Sequence, residues 1–100
     1  MITHVVLFKL KNRSLQSVEK ARDVLLGLKG KGKGKIPVLR YLEVGTDVLH
    51  SERSYDIALI TKFDSMDDLQ VYQVHPVHLE VAKYIMAAKE SAIAVDFESK

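Results

Sequence analysis

Alternating apolar residues at 2–10, 38–48, 55–63 and 93–97, helical spacing at 15–28 and 66–89, and a proline inside the second helical stretch predict an α+β fold. The order is β-α-β-β-α-β, a ferredoxin-like plan with an antiparallel sheet and its helices on one face. One hundred residues suffice for one domain, residues 1–100, and are too few for two.

Each element has a local reason. His4, Val6, Phe8 and Leu10 alternate with Val5, Leu7 and Lys9, a strand with two largely apolar faces. Ser14 is a candidate N-cap, after which Leu15, Val18, Ala21, Leu25 and Leu28 recur at spacings of three and four. The run "KGKGKGK" from Lys29 to Lys35 cannot prolong that helix, because glycine favours neither helix nor strand and the lysines repel, so a mobile loop is expected. Past Pro37, "VLRYLEVGTDV" and "YDIALITKF" are rich in β-branched and aromatic residues and flank a polar turn. Ser65 with Asp68 resembles a capping box opening a short helix to about Val74. Pro76 disfavours helical geometry at His75 yet suits the first turn of a new helix, which runs to about Lys89. Ile93, Val95 and Phe97 alternate in a closing strand.

Helices on one face leave the other bare, and strands apolar on both sides would expose more hydrophobic surface than a soluble monomer usually carries. A second copy is the expected cover, giving a dimeric α+β barrel with a cleft between each sheet and its broken helix.

Composition narrows the function. With 47% hydrophobic and 28% charged residues the chain is neither disordered nor fibrous. It has no cysteine, hence no disulfide, thiolate zinc site or thiol nucleophile, which fits a reducing, cytoplasmic setting. The start "MITHVVLFKLKNRS" lacks the basic and cleavage regions of a signal peptide, no apolar run approaches a membrane span, and no membrane partner is expected. The net charge of +2 conceals an uneven distribution: Lys29–Lys35 holds four of fifteen basic residues, leaving eleven against thirteen acidic ones elsewhere. Gly27 to Lys33 fits G-x-x-x-x-G-K, but Gly34 replaces the Ser or Thr of a phosphate loop and the segment trails a helix, so no nucleotide is expected. The loop has no stacking aromatics, so no nucleic-acid partner is expected either.

The runs "HVVLFKLK", "IPVLRYLEVGTDV", "YDIALITKFDSMDDLQVYQVHPVHLEVAKYI" and "VDFE" together resemble the stress-responsive A/B barrel (Dabb) family across nearly the whole chain. The "LEVG" turn and the Tyr-x-x-His-Pro-x-His string carry most of that resemblance. It implies a homodimeric barrel and two kinds of function. One branch is similar to the plant polyketide cyclases that close olivetolic acid from a linear poly-β-keto thioester. By that similarity His78 is the catalytic base, Tyr72 orients the substrate, and His4 lines the pocket. A further pocket histidine of those enzymes falls on Ile57, a departure that puts the same substrate in doubt. The other kind is a noncatalytic stress-responsive or scaffold protein.

The residues agree with the chemistry such a site needs. Proton abstraction beside a carbonyl, as in cyclisation or isomerisation, requires a base and a hydrogen-bond donor for the developing oxyanion. His78 lies in the first turn of the helix opened by Pro76, where the helix dipole disfavours imidazolium. Tyr72 is positioned to donate from across the break. His75, a further candidate for contact with substrate, also has a backbone reason to precede the proline. The structural alternative makes Tyr72 a core aromatic, His78 a partner for a nearby carbonyl and His4 a satisfied core histidine. His50 sits in the polar turn and is expected in solvent. No cofactor motif is present. No metal site is expected, since the break spoils the His75–His78 spacing and no carboxylate has an obvious place beside them.

Overall fold

The computed structural model describes residues 1–30 and 35–100, so the centre of the lysine–glycine segment, and the mobile loop expected there, lie outside the described residues. The elements are strand β1 (Ile2–Leu10), helix α1 (Leu15–Leu26) with a 3₁₀ turn (Gly27–Lys29), strands β2 (Tyr41–Thr46) and β3 (Ile57–Phe63), helices α2 (Met66–Val74) and α3 (Pro76–Ala88), and strand β4 (Lys89–Glu98). The four strands form one antiparallel sheet in the order β2-β3-β1-β4, the ferredoxin-like arrangement.

Boundaries differ from expectation where tertiary contacts override local signals. Helix α1 tightens into the 3₁₀ turn at Gly27, and Gly30 then takes a φ of 63°, a left-handed conformation that costs glycine no Cβ clash. Strand β2 occupies only residues 41–46 of the expected 38–48, because that is the stretch opposite β3. Strand β4 starts at Lys89, four residues before the alternation of Ile93, Val95 and Phe97, since β1 offers a partner as far as Leu10. Ser14 and Ser65 cap α1 and α2 by accepting from the amides of Ser17 and Asp68, so each satisfies one of the free donors of a helix start.

The register divides the sheet into two unlike faces. Ile57, Leu59, Thr61 and Phe63 of β3 are buried on the side where Ala21, Leu25, Leu69, Tyr72 and Ile85 of the helices pack. Burying one such large apolar side chain is worth about 1.5–3 kcal/mol. The opposite side carries Val5 and Leu7 of β1, paired with Val95 and Ile93 of β4. There Ile93, Val95 and Phe97 are 52%, 55% and 45% exposed, an apolar stripe on the β4 side of the bare face. No helix covers it.

One polar group fixes the far end of β1. The buried Asp56 carboxylate accepts from the Leu10 amide at 2.8 Å and from Arg13 Nε at 3.0 Å, beside a register irregularity at Lys9 and Leu10. The described residues contain no helix long and apolar enough to cross a membrane.

Candidate functional site

The site is built by the break between α2 and α3. His75 ends α2 in an extended conformation, φ −65° and ψ 139°, and its Nδ1 accepts from the Val77 amide at 3.1 Å, so the same residue starts α3. Pro76 follows at N1, where its missing N–H costs nothing. Turning the chain over one residue brings Tyr72, in the last turn of α2, against His78, in the first turn of α3. Their ring centroids are 4.6 Å apart at an interplanar angle of 63°. Phe63 of β3 backs the tyrosine at 4.8 Å.

Tyr72 and His78 line a cavity of about 130 Å³ between sheet and helices. His4, Val6 and Phe8 enter it from β1, Leu59 from β3, Leu25 and Leu28 from the α1 end, Val81 and Ile85 from α3, and Lys89 from the start of β4. Larger hollows lie elsewhere, among them one of about 530 Å³ along Lys29, Lys35 and Arg40, one of about 480 Å³ beside Arg13 and Asp47, and two others of about 290 and 220 Å³. Arg40 is paired with Asp64 and Arg13 with Asp56, so these arginines already have their partners. The smaller cavity is the chemically unsatisfied one: among the described residues Tyr72 Oη and His78 Nδ1 are buried with no hydrogen-bond partner. Leaving such groups unpaired is unfavourable, and in native proteins each calls for an explanation.

Burial sets their protonation. It pushes the Tyr72 phenol well above its ordinary value of 10.0, so at neutral pH the hydroxyl keeps its proton and can donate. It also lowers His78 from 6.5, while hydrogen bonding of the ring to the Gln73 carbonyl raises it and the neighbouring His4 lowers it further. The neutral imidazole expected from the sequence is therefore favoured, with desolvation as the largest cause.

His4 is held by a residue the sequence reading passed over. Its Nδ1 bonds the Asp96 carboxylate, from the position facing it in the β1–β4 register. A carboxylate oxygen accepts, so Nδ1 is the donor in this contact and Nε2 takes no part in it. The expectation that no carboxylate belongs beside the histidines is corrected here. The signal was the alternation of Ile93, Val95 and Phe97, which puts Asp96 on the opposite, helix-covered face.

The other candidates fall outside the cavity lining. Ile57 is core, 2% exposed and paired with Phe8 in the register. His75 is occupied as the cap. His50 is 76% exposed, with a φ of 57° in the turn where Asp47 accepts from the Leu49 and His50 amides. No group of three or more histidines or carboxylates among the described residues is arranged to hold a metal ion.

Comparison with known proteins agrees with this architecture. The model of the stress responsive A/B barrel domain matches residues 2–99. A dimeric protein of unknown function with a ferredoxin-like fold from Bacteroides fragilis is 32% identical, with 98% of this chain and 95% of that chain covered and a TM-score of 0.80. A dimeric ferredoxin-like protein of unknown function from Thermobifida fusca is 27% identical, with coverage of 98% and 90% and a TM-score of 0.83. The hydroxynitrile lyase of Passiflora edulis shares the fold, at 19% identity, coverage of 99% and 93%, and a TM-score of 0.79. No curated protein matches the sequence.

Proposed function

Since the chain belongs to the stress responsive A/B barrel domain family, we propose that it acts as a homodimer closed across the bare sheet face, each cleft holding a small, mostly apolar carbonyl compound. The exposed stripe of Ile93, Val95 and Phe97 supports that closure, as does the dimeric state of the two bacterial relatives.

The observation that carries the ligand reading is the pair of unpartnered polar atoms, Tyr72 Oη and His78 Nδ1, in an otherwise apolar cavity. A carbonyl oxygen accepting from Tyr72 supplies what the phenol lacks. His78, kept neutral by burial, then removes a proton from the carbon beside that carbonyl. Charge builds on the oxygen held by Tyr72, and the resulting enolate is reprotonated elsewhere, an isomerisation, or attacks a second carbonyl of the same molecule, a polyketide-cyclase-like cyclisation. Asp96 acts as a positioning residue that aims His4 Nε2 at the ligand's polar end. A hydroxynitrile lyase among proteins of this fold is consistent with catalysis on such a scaffold. Ile57 and His75, outside the lining, serve the framework in this scheme.

The noncatalytic stress or scaffold reading has its own support, in Tyr72 packed on Phe63 and His75 capping α3. Two measurements separate the readings. Small ketones and acyl thioesters are screened by thermal shift, and solvent deuterium uptake beside the ketone is followed by NMR. The proposal requires stabilisation and deuterium uptake in the parent protein, with both lost in a His78→Ala variant that stays folded. Ligand stabilisation identical in the two proteins, without uptake, removes the catalytic role.

A further inference from the structure

We infer that the cleft takes a slender oxo acid, its carbonyl at the Tyr72–His78 end and its carboxylate held by Lys89 at the other. This rests on the cleft being a small-molecule site and adds the ligand's second recognition group. Among the described residues Lys89 is the one fixed charge in the cavity lining, which contains no aspartate or glutamate. It is half-buried, and among the described residues no side-chain carboxylate pairs with it. Its neighbour Glu90 is already paired with Lys9. An ammonium beside apolar walls without a counter-charge attracts an anion more strongly than the same group in open water.

The fold also fixes the distance between the two recognition groups. Lys89 immediately follows α3, eleven positions after His78, which at 1.5 Å per residue places the two backbones about 16 Å apart. Strand β1 gives the same polarity, since His4 stands near its start while Lys89 pairs with Leu10 at its end. Both residues line the cavity, and the length of their side chains shortens the span left for a ligand to that of a short extended chain. The walls between, including Val6, Phe8 and Ile85, offer no hydrogen bonds and suit methylenes. A keto group next to the carboxylate fits this separation poorly; a keto group several carbons away fits it.

The test compares 7-oxooctanoate with 2-octanone, the same chain and ketone without the acid, by calorimetric titration of the full-length protein. The parent protein is expected to bind the oxo acid roughly tenfold more tightly. Lys89→Met, which keeps the apolar stem, is expected to reduce the two affinities to the same value, and Lys89→Arg to preserve the preference. Equal affinities in the parent protein, unchanged by Lys89→Met, overturn the role of Lys89 while leaving the cleft reading intact. If neither compound binds, the cleft reading fails and this inference with it. Melting curves of both variants confirm that they are folded, and two substitutions of different character keep the result independent of either one.

Discussion

Removing one oxygen atom should make this protein more stable. Tyr72 is 1% exposed and its hydroxyl has no partner among the described residues, so the unliganded fold carries an unsatisfied buried donor. Such a group costs roughly 1–3 kcal/mol, and the smaller figure suits a site that opens onto a cavity. Tyr72→Phe deletes only that atom. The contacts with Phe63 at 4.8 Å and His78 at 4.6 Å belong to the ring and persist. The expected gain is about 1 kcal/mol, which for a chain of this size raises the melting temperature by about 4–8 °C. The assay is thermal unfolding followed by circular dichroism at one fixed protein concentration, because dissociation of a dimer would otherwise shift the midpoint. A second arm adds a ketone ligand: the variant should gain less stabilisation from it than the parent. A melting temperature that falls in Tyr72→Phe would show that the hydroxyl already has its partner and that the cavity holds no unmet hydrogen-bonding capacity there.

Other consequences are as direct. His75→Ala removes the cap on α3 and should cost about 1 kcal/mol in denaturant unfolding, with His75→Asn recovering most of it and ligand binding unaffected. His78 is lowered from 6.5, so the unfolded chain takes up its proton first and stability should fall as pH drops below 6.5, levelling off beneath the folded-state value. Urea midpoints measured against pH should show that slope in the parent and lose it in His78→Gln. Asp56→Ala strips acceptors from the Leu10 amide and Arg13 and should destabilise by about 3 kcal/mol, a loss visible in the same titration. Val95→Asp, on the bare face, should yield a folded monomer by light scattering, since Val95 is 55% exposed in the protomer; a dimer that persists would mean this face is not the interface.

The fold was legible because its signals are local and mutually consistent. Alternation in β1 and β3, serine caps on α1 and α2, and Pro76 at a helix start each follow from residue type, and each agrees with the topology. The pairing of Tyr72 with His78 was legible too, because one proline-broken junction sets both. What stayed hidden depends on register between strands distant in sequence. The alternation around Asp96 gives its face but not its partner, His4, ninety-two residues away. Lys89 reads as the end of a helix until its pairing with Leu10 makes it the first residue of β4 and a wall of the cavity. The cause of the His78 shift was hidden for the same reason, since desolvation depends on what surrounds the ring from every direction.

The joint at His75 has an implication for how this domain tolerates change. Most connections between helices contain a few spare residues, which absorb insertions and let one arm swing against the other. Here a single position serves as both the end of α2 and the start of α3, so there is no slack. Adding one residue would rotate the tyrosine and the histidine out of register with each other instead of lengthening a loop. The aromatic end of the cleft is thus a fixed anvil. If the cleft holds ligands as proposed, adaptation to different ones falls to the other walls, where Met86 is 65% exposed and an unbranched thioether can be repacked without disturbing a backbone that has no room to move.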